Sequence, residues 1–230
     1  MNLIHALQDS TDPNSLVSRF RRARSRRIVG MIERIHAAKG AVRIVDLGGE
    51  PDYWNLFDRA FLDASKVHVT IVNPGGVDEA YDPDLFQVVD GDACDLRQYA
   101  DHAFDMVHSN SVIEHVGDWE RMEAFAAACR RLAPAYYVQT PYFWFPVEPH
   151  FSAPFFHWRS EQSRARALLK RGHGFSPKAP DMGQAMRDVQ HARLLDKAQF
   201  RFLYPDAVHH DEVVAGLTKS LIAVREPTSH

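Results

Sequence analysis

The spacing of hydrophobic positions changes once near the start of the chain. From Asn14 onward, Leu16, Phe20, Ile28, Met31, Ile32 and Ile35 recur at helical spacing. That stripe predicts a helix over 14–38, capped by Asn14 or Ser15. After Lys39-Gly40 the apolar residues come in short runs instead. "RIVDLG", "KVHVTIVN", "LFQVVD", "FDMVHS" and "AYYVQT" predict strands at 43–48, 67–73, 86–90, 104–109 and 135–140. Helical stretches lie between several of them. The clearest is 118–132, "DWERMEAFAAACRRL", with Asp118 as its cap. Strands alternating with helices predict an α/β fold, a parallel sheet with helices on both faces.

The alternation stops after Thr140. Residues 143–195 carry Pro146, Pro149, Pro154, Pro177 and Pro180 among aromatics, with one short helical piece. This stretch reads as an insertion within a single domain covering 1–230. "FRFLY" then predicts a strand near 200–204, and "LTKSLIAVRE" a last one near 219–225. The two are expected to form an antiparallel pair at the end of the sheet.

Composition changes this picture little. At 230 residues, 45% hydrophobic and 25% charged, the chain can bury a substantial core. A net charge of -3 argues against a nucleic-acid partner. The run "RFRRARSRR" holds Arg19, Arg21, Arg22, Arg24, Arg26 and Arg27. It reads as a solvated helix face, with Arg24 expected to play no part in ligand binding. Cys94 and Cys129 show no metal or redox spacing. No signal-peptide pattern and no bilayer-spanning apolar run are visible, so a cytoplasmic protein is expected.

Candidate chemistry begins at "RIVDLGGEPDYWNLF", a strand, a glycine turn and a helix. Such a turn presents backbone N–H groups to a cofactor. A dinucleotide would bring a pyrophosphate, but G-x-G-x-x-G is absent, and Glu50 and Asp52 would repel phosphate. S-adenosylmethionine has no phosphate and carries a sulfonium and an ammonium. The acidic turn therefore favours it over NAD. Asn73 ends the second strand, where ribose hydroxyls are often held. It can hold a diol, or serve as a turn residue in "NPGG". In "DGDACDL", Asp92 can accept from an adenine amino group, with the Ala93 N–H donating to a ring nitrogen. Asp92 or Asp95 can equally cap a helix.

"VDLGG", "GDACDL" and above all "FDMVHSNSVIEHV" resemble the class I S-adenosylmethionine-dependent methyltransferases, of the group labelled methyltransferase type 11 or 12. The resemblance covers roughly residues 40–142. It implies a Rossmann-like sheet of seven strands, mostly parallel, with the last strand antiparallel. It implies that Asp46, Gly48 and Gly49 meet the methionine part and that Asn73 takes the ribose position. Asp92 and Ala93 would meet adenine, and Asn110 and Ser111 would line the floor under the sulfonium. The chain departs from the family where Glu50 and Asp52 replace later glycines, and where Asn73 replaces an acid.

Methyl transfer mainly requires alignment and desolvation, and a base only where the acceptor must lose a proton. "TPYFWFPVEPHFSAPFFHW", Thr140 to Trp158, leaves the fifth strand at its carboxyl end. Residues 142–158 are expected to form an aromatic lid over the methyl group. His150 is the candidate proton acceptor, with Glu148 orienting it; a structural histidine is the alternative. His115 faces the same end of the sheet. Glu148, His150 and His157 match no established ligand spacing, and no metal is expected. The expected activity is methyl transfer from S-adenosylmethionine to a small-molecule or glycan/lipid-type acceptor. A non-catalytic binding or scaffold protein of the same fold is the alternative. The acidic turn argues against a nucleotide-linked oxidoreductase.

Overall fold

A computed structural model describes residues 16–226 apart from 79, 149, 152 and 175, and for residues 16–23 and 148 the backbone alone. Helix α1 (Leu16–Lys39) leads directly into strand β1 (Val42–Leu47). The caps expected at Asn14 or Ser15 lie outside the described residues, as do the side chains of Leu16 and Phe20. Ile28, Met31, Ile32 and Ile35 are buried in one cluster with Ile44, Met106 and Tyr137. Full burial of an aliphatic side chain contributes about 1.5–3 kcal/mol, so these four hold an arginine-rich helix to the sheet.

Two short helices follow, α2 (Pro51–Trp54) and α3 (Arg59–Ala64), then β2 (Val67–Asn73), β3 (Phe86–Asp90) and β4 (Met106–Asn110). Helix α4 (Trp119–Leu132) precedes β5 (Ala135–Pro141). Its cap is Asp118, whose side chain accepts from the Arg121 N–H. The insertion contains a two-stranded ribbon, β6 (Val147–Glu148) and β7 (Ala153–Pro154), and two helices, α5 (Glu161–Leu168) and α6 (Met182–Gln190). It has a small core of its own, which includes Phe151, Phe156, Leu168 and Val189. Helix α7 (Lys197–Leu203) and the strands β8 (Val208–Val214) and β9 (Leu217–Arg225) complete the described chain.

The main sheet has seven strands in the order β3-β2-β1-β4-β5-β9-β8. The pairs from β3 to β5 are parallel. β9 runs antiparallel to both β5 and β8, as the last strand was expected to do. Helices cover both faces: α1 packs on one, and α4 and α7 on the other. β1 and β5 are buried almost throughout, which explains why their sequences are nearly continuous apolar runs.

The strand expected near 200–204 is instead the end of helix α7. Asp196 and Gln199 form a reciprocal capping box at its start. Phe200 and Leu203 are buried while Phe202 is exposed, which is helical and not strand spacing. The strand beside β9 is β8, "VHHDEVV", at the edge of the sheet. Its outer face meets water, so polar residues suffice there and no apolar run marks it.

Candidate functional site

The chain passes from β1 outward to β2 and β3, then returns to place β4 on the other side of β1. That reversal leaves a crevice beyond the carboxyl ends of β1 and β4, where open α/β sheets bind ligands. A cleft of about 470 Å³ opens there. Its lining comprises Asp46, Gly48, Gly49, Glu50, Asp52, Tyr53, Asn55, Leu56, His108 and Asn110.

Gly48 turns the chain out of β1 with φ +70° while its N–H donates to the Val72 carbonyl at 2.8 Å. A Cβ there would lie 2.5 Å from Val112 Cγ1. A Cβ on Gly49 would lie 2.1 Å from Asp46 Oδ2, so the buried carboxylate rests directly under the turn. Asp46 accepts from Trp54 Nε1 at 2.8 Å and pairs with His108 Nδ1 at 2.8 Å. A fully buried carboxylate needs such partners to remain in the core. With Nδ1 turned to Asp46, the other nitrogen of His108, Nε2, is buried without a hydrogen-bond partner among the described residues. The His108 ring centroid is 4.6 Å from that of Tyr53 and 5.9 Å from that of Tyr137, whose ring is nearly parallel to it.

Asn73 Nδ2 donates to the Gly49 carbonyl at 3.2 Å, tying the end of β2 to the turn. At the end of β4, Asn110 Oδ1 accepts from Arg24 Nη1 at 2.9 Å. Arg24 also grips Glu212 of β8 through two bonds, 2.6 and 2.7 Å. Burial opposes the charge on Arg24, but the Glu212 bonds outweigh it and hold the guanidinium pKa above its ordinary value. This corrects the reading of the arginine run as a uniformly solvated face. Arg26 is exposed as expected, whereas Arg24 points inward and fixes a cleft residue.

Asn73 and the remaining expected cofactor residues, Asp92, Ala93 and Ser111, stand outside the lining. Both Asp92 oxygens accept from Arg121 Nη2 at 2.8 Å, and Oδ1 also accepts from the Cys94 N–H at 2.9 Å. Burial pushes the Asp92 carboxyl up, but the Arg121 bonds prevail and hold it below its ordinary value. Ala93 is buried in the core beside Leu96. Ser111 adopts φ +58°, and its hydroxyl donates to Gln139 Oε1 at 3.0 Å. Its left-handed backbone swings the chain out of β4.

In the segment after β5, the described groups have mixed roles. His157 Nε2 meets the Phe143 carbonyl at 2.7 Å, a structural bond. Phe145, Phe151 and Phe156 are buried, while Trp144, Phe155 and Trp158 are exposed. His150 Nε2 faces His115 Nε2 at 3.0 Å. The Glu148 side chain lies outside the description, so its expected partnership with His150 has no geometry here. Sequence reasoning missed Tyr53, His108, Arg24 and Glu212. His108 carries a signal: it alternates with Met106 on a buried strand, in register with Asp46.

The cleft fits a cationic nucleoside better than a dinucleotide. Among the described residues its lining contains no Lys or Arg, and Glu50 and Asp52 stand on its rim. Among the described lining residues a pyrophosphate finds no counter-charge, whereas a sulfonium and an ammonium do.

Residues 59–136 match the family model of the methyltransferase domain. No curated protein sequence matches the chain. Among solved structures, an O-methyltransferase family protein from Burkholderia thailandensis is similar at TM-score 0.47 and 14% identity, over 91% of this chain and 59% of that one. The 1,6-didemethyltoxoflavin-N1-methyltransferase of Burkholderia thailandensis, with S-adenosylhomocysteine bound, gives TM-score 0.46 and 13% identity, over 87% and 77%. A protein provisionally named a Zn-dependent alcohol dehydrogenase, from Rhodobacter sphaeroides, gives TM-score 0.48 and 11% identity, over 82% and 85%. Likeness at this level carries no argument about chemistry. S-adenosylmethionine is the cofactor that the family match indicates. Residues 59–136 thus carry a methyltransferase-domain match, on a seven-stranded fold consistent with the class I S-adenosylmethionine-dependent methyltransferases.

Proposed function

We propose that this protein transfers a methyl group from S-adenosylmethionine to a small-molecule or glycan/lipid-type acceptor. The observation that carries the reading is the cleft at the β1–β4 reversal, acidic at its rim and, among the described residues, without Lys or Arg in its lining. When bound, the cofactor supplies a methyl group activated on a sulfonium.

The residues of the chain divide the remaining work. The Gly48-Gly49 turn gives backbone groups close access, and Glu50 and Asp52 attract the cationic end. Asp46, anchored by Trp54 and His108, keeps the turn in shape from below. Arg24 fixes Asn110 as the floor of the cleft, and alignment of this kind can supply a large share of such a rate enhancement. Asn73 would meet the ribose with its Oδ1, since its Nδ2 is engaged with Gly49. A carboxylate has about four acceptor positions, so Asp92 keeps one for adenine beyond its three present bonds. The segment 142–158, which leaves β5 at the ligand end, would cover the acceptor with its aromatic side chains.

The test is turnover of purified full-length protein with a panel of hydroxyl- and amine-bearing small molecules, sugars and lipid head groups. Release of S-adenosylhomocysteine dependent on an added acceptor supports the reading. Tight cofactor binding without release on any acceptor favours the non-catalytic alternative.

A further inference from the structure

The 3-10 turn Ile113–His115 follows β4 at the same end of the sheet as the cleft. It brings Glu114 and His115 against His150 of the segment after β5. One ligand atom from each of these three residues lies within 4.8 Å of the other two. The Nε2 atoms of His115 and His150 are 3.0 Å apart, with their rings edge to face.

Three features of this cluster go beyond proximity. First, His115 Nδ1 meets the His191 carbonyl at 3.1 Å. A carbonyl only accepts, so Nδ1 carries the proton, and in the neutral ring Nε2 presents its lone pair toward His150. Metal-binding histidines are oriented in this way, with the outer nitrogen donating to a backbone or carboxylate oxygen. Second, Glu114 is fully buried, and its Oε2 accepts from Thr140 Oγ1 at 2.9 Å. The Glu114 carbonyl also accepts from the Arg193 N–H at 2.7 Å, which fixes its backbone. Third, the spacing suits a shared ion. Two imidazole nitrogens, each about 2.0–2.1 Å from one ion at roughly 90–110°, stand about 2.9–3.4 Å apart. The whole set spans at most 4.8 Å, so a small inward turn of the side chains completes it.

We infer that Glu114, His115 and His150 bind one divalent first-row transition ion, with Zn²⁺ as the first candidate. Two imidazoles and a carboxylate are borderline donors, suited to Zn²⁺ and its neighbours and not to Mg²⁺ or Ca²⁺. Three protein ligands leave at least one position open, the pattern of a site that takes a further oxygen or nitrogen ligand. Glu114 lies four residues beyond Asn110, and Thr140 stands near the carboxyl end of β5. The cluster thus stands at the same end of the sheet as the cleft, and an acceptor oxygen or nitrogen would take the open position. Only this acceptor role rests on the proposed methyl transfer; binding of the ion does not.

The experiment uses full-length protein without a histidine tag, stripped with a chelator and dialysed. Zn²⁺ alone is titrated by calorimetry, and Co²⁺ alone by visible absorption. The expected result is one ion per chain, with a Co²⁺ ligand-field spectrum and a rise in Tm on metal addition. Glu114→Gln and His150→Ala should each weaken Zn²⁺ binding at least about 10-fold. His36→Ala, in the last turn of α1, should leave it unchanged. Circular dichroism and cofactor binding establish that each variant is folded. Glu114→Gln is nearly isosteric and keeps the test open should His115→Ala fail to fold. Substoichiometric binding to folded wild-type protein overturns the inference, as does unchanged affinity in folded Glu114→Gln and His150→Ala. His150 would then revert to the metal-free proton acceptor expected from sequence. Absence of metal binding in folded wild-type protein that still binds S-adenosylmethionine fails this inference alone and leaves the proposed function standing.

Discussion

Arg24 donates to Asn110 at 2.9 Å while both remaining arms of its guanidinium hold Glu212, so the N-terminal helix, the edge strand and the cleft are joined through one side chain. The side chain of Arg24 is 13% exposed and that of Glu212 7%. Removing one partner of a buried ion pair costs about 3–5 kcal/mol, because the other charge is left in the interior. Arg24→Ala is therefore expected to lower Tm sharply and to weaken cofactor binding. The double replacement Arg24→Met with Glu212→Leu should recover much of the stability, yet not the affinity, since Asn110 still lacks its donor. Thermal melts and calorimetry on both proteins check this. Full affinity in the double variant would make the arginine a purely structural tie.

The turn offers a sharp contrast between glycines. Gly49→Ala drives a Cβ to 2.1 Å from Asp46 Oδ2, so the carboxylate must shift away from its bonds to Trp54 and His108. It is expected to destabilise the fold and disturb the Asp46–Trp54 bond, read as a change in tryptophan fluorescence. Gly30→Ala lies inside α1, where the new Cβ would be 3.4 Å from Arg34 Nη1, at the end of a long side chain. It should stabilise by about 0.5–1 kcal/mol, since alanine loses less chain entropy in a helix.

Asp92 has two candidate roles that affinity and stability separate. If its last acceptor position reads adenine, Asp92→Ala should cost on the order of 1–3 kcal/mol of cofactor affinity, about 5- to 150-fold. Arg121→Ala, which removes only the neighbouring support, should cost less. A lowered Tm with unchanged affinity in Asp92→Ala would leave it as a turn cap bound to Cys94 and Arg121.

Asp105 gives a pH-dependent test at the opposite end of the sheet. It is almost fully buried and bonds to Lys39 Nζ at 2.7 Å and to the Arg43 N–H at 2.8 Å. Burial raises its pKa, but these donors prevail and hold it below the ordinary carboxylate value. A folded-state pKa below the unfolded one gives stability that is present above about pH 4 and lost as pH falls through the folded value. The stability gap between wild type and Asp105→Asn should thus be constant near neutrality and shrink in acid. Urea melts at a series of pH values measure it; a gap that widens on acidification would contradict the assignment.

The buried parallel strands were the most legible part of the chain. β2 and β3 match their expected spans, and β1, β4 and β5 differ by a residue or two; the inner strands are covered on both faces, and the edge strand β3 still carries Phe86, Val88 and Val89 as its signal. β8, at the other edge, was not legible because its middle is the polar run His209 to Glu212 and no apolar run marks it. α7 was misread because "FRFLY" is aromatic, and its capping box at Asp196 and Gln199 is the stronger signal. Within the site, Asp46 and the glycines were visible as a local motif. Arg24 with Glu212, and His115 with His150, were not, since sequence pattern cannot show which of several exposed-looking residues meets a partner 188 or 35 positions away.

The most direct measurement is calorimetry of S-adenosylhomocysteine and S-adenosylmethionine binding to ligand-stripped wild type and Gly48→Val, both shown to be folded by circular dichroism. Binding of one ligand per wild-type chain, lost or strongly weakened in Gly48→Val through the clash with Val112 and the closed turn, is the expected result. No heat for either ligand at millimolar concentration, or equal affinity in a folded Gly48→Val variant, would contradict the placement of the cofactor in the β1–β4 cleft.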